Sequence, residues 1–468
     1  MKNRSILWFR QDLRLHDNEA LHEAIRWNPE VVPVYIFDPR VFTGSTRFGH
    51  PRMHPVRARF IIDSVSVLRE NIRLLGSDLI VRVGFPEDEI FSLAKEFKTS
   101  VIFCNRERTR DEVFAQDRLE SNLWTIGQEM RFTRGKMLYY TQDLPFPVTH
   151  TPDNFPSFRK ELDRIVPVRK PLPVPEELSP LSFEYDAGDM PDLKILGLEK
   201  KEYLYTIKGG ENEGIKRLKE YVWSENGLKQ YRSKTNEIND PFYSSLLSSW
   251  LAQGCVSPKT IYHEIKTYES IHKPSEATQS LLLELLRRDY CRMIAKKYGH
   301  TIFERGGITG KETISIKDEE YLFNLWKESR LGIPILDAGL KALAESGYMP
   351  FSLRYACAHF LIHSLKVNWQ LGADWFESNL VDYDPASNYV NWLSIAGLIP
   401  EPSEEKQTGI SFLGKKLDPF GNYIKHWLPS LRSLPANKVF KPDTLDENEQ
   451  KLYDFKVGRN YPKSIVPW

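Results

Sequence analysis

Residues 6–28 read ILWFRQDLRLHDNEALHEAIRWN. The opening ILWFR is short, apolar and aromatic, as a buried strand requires. EALHEAIRWN carries apolar residues at the spacing of an amphipathic helix. Between them runs a polar turn with Arg10, Asp12, Arg14 and Asp17 and no glycine. Parallel sheets bind ligands beyond their strand ends, but the glycine fingerprint that cradles a dinucleotide at a first turn is absent here. The four charged residues read as a salt-bridged surface turn, with Asp17 capping the helix that follows.

The same alternation continues. VVPVYIFD (31–38), DLIVRVG (78–84), SVIFCN (100–105) and MRFTRG (130–135) are strand-like, and HPVRARFIIDSVSVLRENIRLLG, EIFSLAKEFK and DEVFAQDRLESNLWTIGQ are helix-like. Strands alternating with helices predict a doubly wound parallel sheet over residues 1–135. From 141 to 191 the chain is rich in proline and short of periodicity, which predicts a long linker, bounded at 136–205. From Gly209 onward the period is helical, in stretches such as SPKTIYHEIKTYESI and FSLRYACAHFLIHSLKVNW. The expected fold class is therefore α/β plus all-α: an N-terminal doubly wound parallel sheet, a long linker, and a large helical domain over 206–468.

Composition bounds the function. The chain has 468 residues and a formal net charge of +1, from 64 Lys+Arg and 63 Asp+Glu. No global field favours DNA, membranes or acidic partners, so any basic surface is local. Aromatic residues reach 12%, which suits either a flat ligand or a large helical core. Cys104, Cys255, Cys291 and Cys357 are widely spaced, without a CxxC. They read as buried thiols of a reducing compartment rather than as disulfides, zinc or iron–sulfur ligands. No apolar run approaches the roughly 18 residues of a membrane span. The expectation is a cytoplasmic chain without membrane contact.

Three further stretches carry chemistry. LVDYDPASNYVNW (380–392) begins as a calcium loop begins, with Asp382 and Asp384. The pattern then fails, because Ala386, Ser387 and Leu393 occupy its fifth, sixth and twelfth places. The acids read better as the cap of a helix starting at Pro385, whose N–H groups would suit an anionic or polar ligand. DPFYSSLLSSWLAQGCVSP (240–258) offers Ser244, Ser245, Ser248 and Ser249. These fit either a pyrophosphate at a helix start or a plain serine cap. LLLELLRRDYCRM (281–293) sets Glu284 and Arg288 one helical turn apart, an ordinary i,i+4 pair. Trp369 and Trp392 follow helical runs and read from pattern alone as core.

Taken together, these stretches resemble one family. WFRQDLRLHDNEAL and LVDYDPASNYVNW are similar to the opening and flavin segments of photolyases and cryptochromes. DNFPSFRKELD, GGENEGIKRLKEYVW and LLLELLRRDYCRMIAKKYGHTIFERGG narrow the resemblance to the DASH cryptochrome branch, over residues 5 to about 431. The resemblance implies FAD held in the helical domain. Tyr231 and the segment Ser244, Ser245, Leu246, Leu247, Ser248 would hold its phosphates. Arg288 would lie near the adenine and flavin. Arg354 would pair with Asp382 behind the ring. Asp382, Tyr383 and Asp384 would line the isoalloxazine and ribose side, and Asn388 would face flavin N5. Trp392 and Trp369 would pass electrons to the flavin. Glu284 would be the acid at a cyclobutane pyrimidine dimer. Glu107 would contact an antenna, methenyltetrahydrofolate.

The resemblance also marks departures. Arg287 stands where the family has a stacking tryptophan, Phe351 and Ser352 replace Asn-Arg, and Ser394 replaces an aromatic residue. Gly409 and Phe412 stand where polar contacts are expected. Ile316 replaces the distal tryptophan, with Tyr321 or Tyr355 as substitutes. Flavin-side residues are kept and dimer-side residues are changed. The expectation is a monomeric, blue-light-responsive FAD protein of DASH type, weak or inactive in dimer repair, with a local DNA-binding surface. The alternatives are an active deoxyribodipyrimidine photolyase for single-stranded DNA, and a nucleic-acid-binding or interaction protein with a structural flavin.

Overall fold

The computed structural model describes residues 4–162, 166–198, 203–204, 207–225, 227–230, 238–311, 316–400 and 410–466. Five strands, β1 (Arg4–Phe9), β2 (Glu30–Phe37), β3 (Ile80–Val83), β4 (Val101–Asn105) and β5 (Glu129–Thr133), form one sheet in the order β3-β2-β1-β4-β5. Every pairing is parallel. Alternation along β1 feeds two layers. Ile6 and Trp8 join the cluster with Ile90, Leu93, Leu119 and Leu123, whereas Leu7 and Phe9 join the one with Leu21, Phe60 and Val65. Burial on both faces is why β2 is apolar without alternation.

The first turn is not a surface turn. Asp12, Arg14 and Asp17 are buried, and the helix Glu19–Trp27 is capped by Asn18, whose side chain accepts from Leu21 N at 3.1 Å. Asp12 accepts from Arg10 N at 2.7 Å and Asn105 Nδ2 at 2.5 Å. Arg14 donates to the carbonyls of Gly254, Asp17 and Gly135 at 2.8–3.0 Å. Asp17 accepts from Lys259 Nζ at 2.6 Å, from Leu172 N at 3.1 Å and from Ser257 Oγ. Gly254 has φ +66, and a Cβ there would overlap the Gln11 carbonyl. The turn is a polar clamp between the sheet and the helices. Its distant partners lie between 93 and 240 residues away, beyond any local pattern.

The proline-rich stretch packs over the sheet. Leu181, Phe183 and Tyr185 lie against the β-sheet cluster, and Val81 N of the edge strand β3 donates to Ala187 O at 2.9 Å. An edge strand is thereby covered. The helix Phe155–Leu162 sets Phe158 and Leu162 against Tyr290, Met293 and Ile294 of the helix Glu276–Tyr298. The helical part further includes Glu211–Trp223, Pro258–His272, Pro334–Ser346, Phe351–His359, Trp369–Asn379 and Pro385–Ala396. The tail beyond Leu431 also packs: Leu434, Val439, Phe440, Leu445 and Phe455 are buried, and Tyr461 donates to Asp337. The four cysteines are buried and unpaired. No helix among the described residues is long and apolar enough to cross a membrane.

Candidate functional site

The helix Pro385–Ala396 starts as its sequence predicts. Asp384 is the cap, accepting from Ser387 N and Oγ at 2.8 Å each, and Pro385 takes the first helical position. The second oxygen of Asp384 takes Arg292 of the helix Glu276–Tyr298. Burial alone would raise this carboxyl, but Arg292 and Arg288 outweigh it and hold it well below the usual carboxylate range. Arg292 is a site residue that sequence reasoning missed. Its signal was the one-turn spacing from Arg288.

Asp382 lies two residues earlier. Its Oδ2 accepts from Arg354 Nη2 at 2.9 Å, and Arg354 Nε donates to Met349 O at 2.6 Å. Its Oδ1 is buried with no hydrogen-bond partner among the described residues. A buried carboxylate oxygen left unmatched costs about 1–3 kcal/mol, so it marks a place for a donor. Asn388 is buried one turn into the helix and donates to Ala373 O at 3.0 Å. Tyr383 faces Glu377 and carries Arg57 5.2 Å above its ring. Asp382, Tyr383, Asp384, Asn388 and Trp392 line one cavity, together with Arg354.

The aromatic residues are well defined. Trp392 is buried, with ring centroids 5.2 Å from Phe376 and 6.5 Å from Trp326. Gly372 lets the helix Trp369–Asn379 approach it, for a Cβ at that position would overlap the indole. Trp369 is buried, donates to Arg305 O at 3.0 Å and meets Tyr389 at 6.1 Å. Ile316 is half-buried in the same core, and Tyr321 is 64% exposed.

The serine loop is held from behind by Arg217, which donates to the carbonyls of Pro241, Ser244 and Ser245 at 2.7–3.0 Å. Ser244 and Ser245 hydroxyls accept from Leu246 N and Leu247 N at 3.3 and 3.4 Å. Leu246 sits at φ +60, a left-handed conformation unusual for leucine. The plain serine cap is corrected: the helix Ser248–Ala252 has Leu247 at its cap position, with no side-chain cap bond. Tyr231 and Gly409 lie outside the described residues. Arg288 donates to Lys136 O and Leu251 O at 3.0 and 3.4 Å, and burial, then Arg292, lowers it to about 10.

The cavity's outer lining differs in kind. Phe351, 55% exposed, Tyr355, Ser394 and the exposed Arg287 form its mouth, with Arg287 4.9 Å above the Phe155 ring. Glu284 is exposed one turn before Arg287, Ser352 is half-buried, and Phe412 is 65% exposed. A second, larger cleft of about 930 Å³ lies between the sheet's strand ends and the helices. Glu107 is turned away from it. Its buried carboxylate pairs with Lys136, and Lys136 and Arg10 outweigh burial to keep it below its ordinary value. Of the carboxyls that line the cleft, Asp38, Asp111, Glu112, Glu304 and Glu377, Glu112 is pushed up to about 7 by burial and then by Glu107.

Comparison with known proteins agrees with this architecture. A profile described as DNA photolyase matches residues 5–176, and one described as FAD binding domain of DNA photolyase matches residues 281–468. The chain is 39% identical to the cryptochrome DASH of Gloeobacter violaceus over 98% of this chain and 92% of that protein. The chain belongs to the photolyase/cryptochrome family, in its DASH cryptochrome branch. The crystal structure of a Synechocystis cryptochrome superposes on this DASH-type chain with a TM-score of 0.93 at 34% identity, covering 100% of this chain and 97% of that one. A class III photolyase of Agrobacterium tumefaciens superposes with a TM-score of 0.86 at 25% identity, covering 100% and 95%. The likeness runs past Leu431 to the end of the chain, because the tail is part of the core. The lining has the chemistry a flavin would need: Asp382 Oδ1 is an unmatched acceptor that a ring N–H would satisfy, with the Arg354 counter-charge behind it, whereas Ser244–Ser248 and Arg288 do not line this cavity.

Proposed function

We propose that this DASH-type chain binds FAD in the cavity of Asp382 and Asn388 and works by light-driven electron transfer, with weak or absent repair of cyclobutane pyrimidine dimers. The unmatched Asp382 Oδ1, beside the Arg354 pair, carries the reading. FAD, when bound, supplies the light absorption and the electron chemistry. The chain's own residues hold and tune it. Arg354 faces Asp382 with its guanidinium, Arg292 and Arg288 hold Asp384 well below the usual carboxylate range, and Asn388 presents an amide instead of an acid. Trp392 is the nearest electron donor, with Trp369 behind it. The segment Ser244–Ser248 and Tyr231 take the phosphates, with Arg288 toward the adenine and flavin.

Repair requires a lesion drawn into the mouth. Arg287 retains a cation for phosphate or base faces but not the area of an indole. One observation favours a second reading, active repair of single-stranded DNA: Phe351 is 55% exposed at the mouth and offers a stacking ring. A dimer-containing oligonucleotide, blue light and the purified chain decide between them. Robust restoration of the pyrimidines overturns the weak-repair reading, and no restoration with a photobleachable flavin supports it. A colourless preparation overturns the flavin reading itself. A folate antenna, methenyltetrahydrofolate, belongs in the 930 Å³ cleft, near Glu112 rather than Glu107. The chain is proposed to act as a monomer in the cytoplasm.

A further inference from the structure

We propose that the hairpin of residues 44–52 is a gate over the large cleft and that Asp374 is the latch that holds it shut.

The hairpin closes on itself. Ser45 and Pro51 form an antiparallel bridge, Thr46 N donates to His50 O at 2.8 Å, and Arg52 N donates to Gly44 O at 2.9 Å. Its tip is tight: Gly49 N donates to Thr46 O at 3.1 Å, and Gly49 sits at φ +82. A segment bonded locally in this way moves as one body about its two ends. Gly44, Ser45, Thr46, Arg47, Phe48 and Arg52 line the cleft.

Apolar burial does not hold the hairpin down. Phe48 is its one large apolar side chain and is 37% exposed, and Ser45, Arg47, Gly49 and Pro51 are exposed as well. The pins are polar and reach the helical part of the chain. Asp374, buried on the helix Trp369–Asn379, meets three hairpin groups. Its Oδ2 accepts from Thr46 Oγ1 at 2.6 Å and lies 2.8 Å from His50 Nδ1, and its Oδ1 accepts from Phe48 N at 3.4 Å. One turn on, Ser378 donates to Pro51 O at 2.5 Å, and Arg47 Nη1 donates to Phe303 O at 3.2 Å. One buried carboxylate therefore gathers the pins of residues 46, 48 and 50. Few buried apolar contacts, with the pins gathered on one side chain, let a segment open without the core.

Arg52 carries the shut hairpin across the cleft. Its Nη1 pairs with Asp111 Oδ2, on the helix Arg110–Trp124, at 2.6 Å, and its Nε lies 3.6 Å from Glu377 Oε1. Asp111 and Glu377 line the cleft as Arg52 does. The bridge is incomplete, because Arg52 Nε is buried with no hydrogen-bond partner among the described residues. An unmatched buried donor disfavours the shut hairpin and is relieved when the hairpin swings out to water. The latch opposes that cost. Trp8 and Tyr35 line the same cleft and are only 3% and 8% exposed.

The test is hydroxyl-radical footprinting of the full chain, read residue by residue by mass spectrometry. Trp8 and Tyr35 report access to the cleft, and Trp326, fully buried in the helical core, reports unfolding. In Asp374→Asn, labelling of Trp8 and Tyr35 is expected to rise about tenfold, the effect of weakening one charge-assisted hydrogen bond, with Trp326 unchanged. Amide exchange over residues 45–52 should quicken by the same factor. Thr46→Val removes one pin and leaves the carboxylate, so it should raise both signals less. Unchanged amide exchange in Asp374→Asn overturns the latch. Quicker exchange without added labelling at Trp8 and Tyr35 overturns the gate, for the hairpin then moves without opening the cleft. A rise at Trp326 in Asp374→Asn marks lost packing, and Thr46→Val then decides: quicker exchange at 45–52 with Trp326 protected upholds the proposal, and unchanged exchange overturns it. None of these signals depends on which ligand the cleft takes.

Discussion

Two buried sets of arginine and aspartate sit in this molecule, one at each end of its logic. In the clamp beside β1, Asp12 and Asp17 have partners on both oxygens, drawn from Arg10, Asn105, Lys259, Leu172 and Ser257. In the cavity wall, Asp382 has Arg354 on one oxygen and nothing among the described residues on the other. The chemistry of the residues is the same, but the completeness of their carboxylates differs, while Arg14 Nε of the clamp is itself without a partner among the described residues. A saturated carboxylate joins parts of a fold, whereas a half-satisfied one awaits a ligand.

The largest break in this comparison is Arg354→Ala. It leaves Asp382 buried without a counter-charge, a loss of about 3–5 kcal/mol. Thermal melts should drop accordingly, and the purified chain should lose its flavin absorbance. Asp17→Asn tests the other set. Trading a charged acceptor for an amide that also presents donors should cost about 1–3 kcal/mol in urea unfolding. Flavin content should stay unchanged; if flavin falls with it, the two sets are one network. Phe351→Ala sharpens the contrast between wall and mouth. Binding of a single-stranded oligonucleotide should weaken by about 1–3 kcal/mol per stacked base, measured by fluorescence anisotropy, with flavin retained. The smallest effect is Glu112→Gln. Its folded value of about 7 lies above the ordinary 4.5, so the native state holds the proton more tightly. Its contribution to stability is full below pH 4.5 and is lost as pH rises through about 7. The variant should flatten that part of the stability–pH curve in melts at pH 5 and pH 8.

Legibility followed the range of the interactions. The helix start at Asp384 and Pro385 was readable because capping is settled within four residues. So were the strands, whose apolar runs carry their own signal. The first turn misled for the opposite reason. Asp12, Arg14 and Asp17 look solvated next to their neighbours, and partners far along the chain, Asn105, Gly135, Leu172, Gly254, Ser257 and Lys259, offset their burial. Arg292 was passed over because a helix with Arg287, Arg288 and Arg292 does not announce which arginine points inward.

The sequence by itself determined the alternation of strand and helix, the helical second half, the cap at Asp384 and the resemblance to photolyases and cryptochromes. These rest on local periodicity and on ordered motifs, which survive in one dimension. Only the tertiary structure decided which charges are saturated and which are not. It joined Asp382 to Arg354 and Asp384 to Arg292, turned Glu107 onto Lys136, and left Glu112 on the cleft. Burial and the matching of donors to acceptors are properties of the packed chain, and they separate a clamp from a binding site.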